Sequence, residues 1–237
     1  MTDTLTIAHC SDIHLDADTR DIDFYRHAFE RVLTVMVERD PDLLIVAGDI
    51  FDANSATDAT IRWAMDLLGR LMVPIVMIPG NHDCLEGDSI YRRYDFNAIR
   101  NVDMFLDAEG ETRHFPALDL AVWGKGMLDH TPDHRPLAGA PERPVERRWY
   151  VGLGHGLYVP DGQTTGRSSP IAHQEIAGSP FDYVALGHHH AAFTLDTERG
   201  AAAFSGSPTD TVGGAPTYAW AELTPSGTSV DIVPVAD

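Results

Sequence analysis

Three short apolar segments alternate with two amphipathic ones over the first eighty residues, and this order narrows the possible folds most. Leu5 to Cys10, Leu43 to Ala47 and Val73 to Ile78 read as strands. Between the first two, Phe24, Ala28, Val32 and Met36 recur every four residues, with Phe29, Leu33 and Val37 beside them. Ile61, Ala64, Met65, Leu68 and Leu71 repeat the pattern before the third strand. Such spacing puts apolar side chains on one face of a helix, and Pro41 closes the first helix. Strand, helix, strand, helix, strand is the order of a parallel sheet. Open sheets of this kind place ligands beyond the carboxyl ends of their strands.

The second half changes style. Leu118 to Trp123, Tyr150 to Leu153, Tyr183 to Leu186, Ala201 to Ser205, Tyr218 to Leu223 and Val230 to Val235 are strand candidates separated by turn residues. Helix is expected there only near Ile171 to Ile176. Residues 129–148 hold four prolines and four arginines without a clean period, so they read as a long loop. The Gly/Thr/Ser-rich stretch 161–170 reads as a second. With 237 residues and no repeat or low-complexity break, residues 1–237 are expected to form a single domain. A chain of this length buries roughly 70% of its unfolded surface.

Charge and cysteine content exclude several classes. Seventeen Lys+Arg against 36 Asp+Glu leave a formal charge of −19, and Lys125 is the only lysine. A protein that grips duplex DNA unaided carries a basic face, so weak or no duplex binding is expected. Cys10 and Cys84 cannot make a disulfide framework. They read as small buried residues, with redox control of a nearby site as the alternative. No basic start leads into an apolar stretch, and the longest apolar runs, such as Val73 to Pro79, are strand-sized. The expectation is a cytoplasmic protein with no membrane partner.

Ligand-type side chains follow strand after strand. They are Asp12 and His14, then Asp49, then Asn81, His82 and Asp83, then His155, then His188 and His190. Carboxylate, imidazole and amide oxygen together suit Mn²⁺, Fe²⁺ or Zn²⁺, and no thiolate set for a structural zinc is present. Alternate residues of an extended chain point the same way, so Asp12 and His14 can grip one ion, as can His188 and His190. The set exceeds the needs of one ion. Two ions about 3.5–4 Å apart form the usual clamp for phosphoryl displacement. One carboxylate must then bridge them, and Asp49 is the candidate, because Gly48 allows a tight turn at the strand end.

The motifs Asp12-Ile13-His14, Gly48-Asp49-Ile50-Phe51-Asp52, Gly80-Asn81-His82-Asp83, Gly154-His155 and Gly187-His188-His189-His190 spread over about 180 residues in this order. In them the sequence resembles the calcineurin-like metallophosphoesterases. The resemblance implies an α/β fold, a two-sheet β-sandwich flanked by helices in four α/β/β/α layers. It implies a dinuclear centre, with Mn²⁺ the first choice and Fe or Zn as alternatives. Asp12, His14, Asp49 and His190 would hold one ion, and Asp49, Asn81, His155 and His188 the other. It further implies that His82 touches the phosphate and protonates the leaving oxygen, that Asp83 orients His82, and that a bridging hydroxide attacks.

Within the family, His9 to Leu15, Ala47 to Asp52, Tyr183 to His190 and Ser205-Gly206-Ser207-Pro208 are similar to the nuclease subunit of double-strand-break repair complexes. Those nucleases carry a further capping domain that helps hold DNA and docks an ATPase partner, and none is expected within these 237 residues. The resulting expectation is a phosphodiesterase acting on small phosphate esters or single-stranded nucleic acid. A DNA exonuclease working with an ATPase partner and a phosphomonoesterase are the alternatives. Around the motifs, His9 either lines the cleft or is an ordinary residue, and Tyr158 and Arg167 are candidates to face the cleft. Asp52 either supports a ligating histidine or caps the helix near Thr57. His189 should point away from the site. Arg135, Arg143, Arg147 and Arg148 are either solvated surface or a phosphate-recognising rim.

Overall fold

The computed structural model describes residues 3–17, 21–210, 212 and 215–235. The single domain expected over 1–237 therefore has its outermost residues, 1–2 and 236–237, outside the described residues. In chain order the first half runs β1 (Leu5–Cys10), α1 (Ile22–Val37), β2 (Leu43–Ala47), α2 (Asp58–Gly69), β3 (Ile75–Ile78), α3 (Ile90–Arg93) and β4 (Val102–Met104). A second run follows: β5 (Glu111–Phe115), β6 (Leu120–Gly124), β7 (Trp149–His155), β8 (Leu157–Val159), β9 (Pro170–Ala172) and α4 (His173–Ala177). The chain ends with β10 (Tyr183–Gly187), β11 (Phe193–Asp196), β12 (Ala201–Phe204), β13 (Thr217–Thr224) and β14 (Gly227–Pro234).

Two six-stranded sheets result, ordered β14-β13-β1-β2-β3-β4 and β11-β12-β10-β7-β6-β5. Strands β1 to β4 are parallel, as are β6, β7, β10 and β12. The last two strands return to the first sheet, β13 pairing antiparallel with β1 in the register Leu5↔Leu223. The sheets face one another. Side-chain alternation along each strand sends Leu43, Ile45 and Ala47 of β2 into the core between the sheets and Leu44 and Val46 toward the helices. In β7, Val151 and Leu153 face the other sheet while Tyr150 faces outward.

Helices α1 and α2 cover the outer face of the first sheet through Phe29, Val32, Leu33 and Met36, and through Ile61, Ala64 and Leu68. The Thr57 hydroxyl caps α2 by accepting from the Thr60 N–H, so Asp52 has no such duty. Phe24, expected on the buried face of α1, is 48% exposed and stacks edge-on to Tyr25. The outer face of the second sheet has only the five-residue α4, and Leu137 from the long loop helps to cover it. No helix among the described residues is long and apolar enough to cross a membrane.

His9 takes the ordinary place of the two the sequence left open, and the cleft reading is corrected. It shares the inward parity of Leu5 and Ile7, so it is fully buried between the sheets rather than lining a cleft. Its Nδ1 shares a hydrogen bond of 2.9 Å with the Tyr183 hydroxyl, and its Nε2 has no partner. Burial pulls its pKa down from 6.5 to about 3. Between those values the unfolded imidazole binds a proton that the folded one refuses. The sign is fixed: stability is full above pH 6.5 and falls as pH drops toward about 3. Urea unfolding of the wild type against His9→Gln should therefore give a stability difference that shifts in favour of the variant as pH falls through this window. A difference independent of pH would refute a neutral buried His9.

Candidate metal centre

The carboxyl ends of β1, β2, β3, β7 and β10 meet at one end of the seam between the sheets. Each chain segment turns sharply there. Asp12, His14, Asp49 and His188 have φ values of 57°, 53°, 53° and 99°, left-handed conformations that Asp adopts more readily than most residues and that are costly elsewhere. These turns aim side chains into the seam directly after the last strand residue. Gly80 is required by a close approach: a Cβ there would collide with the Asp49 carboxylate and backbone. Gly48 (φ 89°) supplies the turn that brings Asp49 under it.

Asp12 and Asp49 are buried, His155 is 1% exposed and His14 7%. Three histidines have one ring nitrogen already committed. His14 Nδ1 lies 3.0 Å from Asp52 Oδ1, His190 Nδ1 2.6 Å from Asp210 Oδ2, and His155 Nδ1 2.7 Å from the Ala47 carbonyl oxygen. Donation from Nδ1–H in each fixes the ring and points Nε2 inward, an arrangement common behind metal-binding histidines. The Nε2 atoms of His14 and His190 then face each other at 3.2 Å. Two lone pairs that close want a cation between them. On the other side, Asn81 Oδ1 lies 3.1 Å from His155 Nε2 and 2.8 Å from His188 Nδ1.

Asp49 joins the two sides. Its Oδ2 lies 3.8 Å from His14 Nε2 and 3.2 Å from His155 Nε2, while Oδ1 accepts from the His82 N–H at 2.9 Å. Ligand atoms of Asp12, His14 and His190 lie within 4.8 Å of one another, as do those of Asp12, Asp49 and His155. His14, Asp49 and His82 form a third such trio. The residues present thus fit divalent ions. Asp12, His14, Asp49, Asn81, His155, His188 and His190, all anticipated from sequence, come together here.

In the absence of metal, burial alone would keep His155 neutral, but the adjoining Asp49 carboxylate overrides it and raises the imidazole to about 10. The same contact outweighs burial at Asp49 and keeps it ionised. His188, which faces other imidazoles, is driven down to about 3, by burial first.

Asp83 departs from expectation. Its side chain is directed away from His82, because adjacent residues on this turn point to opposite sides. Its Oδ1 accepts from the Gly80 N–H at 2.7 Å, and its Oδ2 from Ile50 N–H, Phe51 N–H and the Tyr91 hydroxyl at 3.0, 3.2 and 2.7 Å. Asp83 therefore ties the β2 and β3 loops together. Asp52 orients His82 instead: its carbonyl oxygen is 2.7 Å from His82 Nδ1, and its carboxylate 3.7 Å away. His82 is exposed and can present Nε2 to solvent. Sequence reasoning missed Asp210 altogether, since nothing in a Ser-Pro-Thr-Asp stretch announces contact with a histidine twenty residues earlier.

Of the flanking residues, His189 packs edge-on against Phe204 and takes a hydrogen bond from the Tyr158 N–H, pointing away as expected. The Tyr158 hydroxyl is paired with His173 rather than with a metal ligand, and Arg167 is an exposed residue of the 161–170 loop. The arginine rim does not form. Arg143 grips Asp182 at 2.7 and 2.6 Å and Arg148 grips Asp3 at 2.8 Å, both beside the amino ends of β10 and β7, opposite the ligands. Arg147 immediately precedes Arg148, and Arg135 is paired with Glu175 of α4. Cys10 and Cys84 are free and buried. Burial, then the Asp12 charge, raises the Cys10 thiol to about 12, which leaves it unreactive.

Comparison with known proteins agrees with this geometry. Residues 5–192 match the calcineurin-like phosphoesterase family. The chain belongs to that family. A Bacillus subtilis (strain 168) relative, the uncharacterized metallophosphoesterase YhaO, is 24% identical over 226 residues, covering 86% of this chain and 53% of its own. The chain thus spans about half the length of this curated relative. TT1561 of Thermus thermophilus superposes with a TM-score of 0.64 at 13% identity, over 98% of this chain and all of its own. A dimetal phosphatase from Danio rerio gives 0.60 at 10% identity, over 98% and 97%. The fold is the two-sheet, helix-flanked sandwich of the family, whose members normally bind two divalent metals.

Ions entering the site must displace the proton shared by His155 and Asp49. Calorimetric titration of the metal-free protein with Mn²⁺ at pH 7, repeated in buffers of different ionisation enthalpy, should report release of about one proton. Asp49→Asn should abolish most of that release. Heat of binding independent of buffer would contradict the protonated pair.

Proposed function

We propose that this phosphoesterase is a phosphodiesterase acting on small esters or single-stranded nucleic acid with two divalent ions, Mn²⁺ foremost. The observation that carries the reading is the character of the groove beside the ligands. It has a volume of about 430 Å³ and is lined by Tyr25, Asp52, His82, Thr209 and Asp210 next to His14 and His190. None of the described residues lining it is an arginine or lysine. A diester brings one negative charge and a monoester about two, so a groove with its own carboxylates and without a fixed cation favours the diester. The formal charge of −19 acts in the same sense against a long duplex.

Bound ions would activate water and neutralise the phosphoryl oxygens. The protein's residues supply the remainder. The histidine and carboxylate contacts hold the ligand side chains in register, so little reorganisation is needed at reaction. His82, anchored through Nδ1 on the Asp52 carbonyl, directs Nε2 into the groove. In its protonated form it donates from Nε2 to the departing ester oxygen as the P–O bond breaks.

His82→Ala should then lower kcat by about 10²–10⁴ on alkyl diesters and leave metal content unchanged. The loss should shrink on bis-p-nitrophenyl phosphate, whose leaving group needs little protonation. Equal losses on both substrates would remove the acid role.

The substrate class is tested by comparing bis-p-nitrophenyl phosphate, p-nitrophenyl phosphate, labelled single strands and linear duplex with the Mn²⁺-loaded protein at 0.15 M salt. The diester and short single strands should be hydrolysed, and the duplex degraded poorly. Preference for the monoester would make the protein a phosphomonoesterase. Processive digestion of duplex without a partner would replace the small-substrate reading by that of a DNA exonuclease, and an ATPase partner would then be sought.

A further inference from the structure

One imidazole near the ligands is used by nothing described so far. His130 sits on the long loop after β6, half-buried, with its ring centroid 6.3 Å from that of His188 at an angle of 62°. It is within electrostatic reach of His155, Asp49 and His82. Neither of its ring nitrogens hydrogen-bonds a described residue, whereas His14, His155, His188 and His190 are all committed.

The loop that carries His130 is tied down on both sides. The Met127 carbonyl accepts from the Leu85 N–H at 2.7 Å, which anchors it to the Asn81-His82-Asp83 turn. The Thr131 carbonyl accepts from the Ser169 N–H at 2.9 Å, which anchors it to the segment leading into β9. Two backbone ties within five residues hold a single side chain at the edge of the site. His82 adjoins a different ligand-type residue, its ring 4.7 Å from that of His14. The two imidazoles thus touch different members of the ligand cluster, His82 the His14 ring and His130 the His188 ring.

We propose that His130 is a substrate-contacting residue that donates a hydrogen bond to a non-bridging phosphoryl oxygen from the His188 side of the centre. The proposal rests on the phosphoesterase reading above. It gives the acidic site a positioned donor beside His188. Tight binding of an anion by such a donor needs a pinned backbone, and the two carbonyl ties supply one.

The test uses the full chain loaded with Mn²⁺ and compares wild type, His130→Ala and His130→Gln. Inorganic phosphate affinity is measured by calorimetry, KM and kcat on bis-p-nitrophenyl phosphate, and metal content by elemental analysis. A hydrogen bond to a charged oxygen leads us to expect phosphate binding and KM weakened about tenfold or more in His130→Ala. We expect a smaller change in kcat, unchanged metal content, and partial recovery in His130→Gln, which keeps a donor. Wild-type phosphate affinity in His130→Ala overturns the proposal. Loss of a metal equivalent also overturns it, because His130 would then be a ligand. Wild-type protein that binds phosphate but hydrolyses no ester refutes the functional reading, and the phosphate comparison still decides the role of His130. Wild-type protein that binds no phosphate refutes both.

Discussion

Three carboxylates, those of Asp12, Asp49 and Asp83, are buried at one end of the seam between two sheets, and the surrounding structure is organised to make that tolerable. A buried charge is costly unless it is paired and hydrogen-bonded. Asp83 has four donors, and even so burial, with Asp49 nearby, raises it to about 6. Asp12 accepts from the His188 N–H at 2.9 Å and from Ser11, whose hydroxyl also meets Ser205. Asp49 depends on His155 and His14. The left-handed turns, the close approach of Gly80 and the Ser-Gly-Ser-Pro segment all serve these three groups. Ser207 in that segment donates to the Asp12 carbonyl at 2.7 Å.

The parts of the fold governed by local period were legible in the sequence. Helices α1 and α2 have one apolar face each, and β2 and β10 are unbroken apolar runs, buried on both sides. Of the edge strands, β14 was legible as Val230 to Val235, whereas β5 and β11 were not. Glu111–Phe115 is polar at most positions because its residues are only partly buried, and β11 alternates between half-buried and exposed. Neither offers the contrast on which pattern reading depends. The return of β13 to pair with β1 was also hidden, since a strand's own sequence does not name its neighbour.

The site divides in the same way. Its ligand-type residues could be read because each follows a strand directly, where the chain direction fixes their place. Asp52, in the motif after β2, was a sequence candidate to support a ligating histidine and pairs with His14, whereas Asp210 and His130 lie on loops, whose paths depend on long-range ties. Asp83 was misjudged because adjacency in sequence suggested adjacency in space, whereas a turn sends neighbouring side chains apart.

Ligand-type residues come from both sheets: Asp12, His14, Asp49 and Asn81 from the first, His155, His188 and His190 from the second. The sheets interlock through alternating side chains, so they cannot slide without opening a close-packed core. The molecule thus separates what must stay constant from what is free to vary. Strand ends and the largely buried 205–210 segment that braces Asp12 and His190 form a rigid frame, while the 129–148 segment borders it as a loop, and loops tolerate exchange, lengthening and shortening. Descendants of such a chain can change what they bind by rewriting that loop, and the ligand cluster is inherited intact.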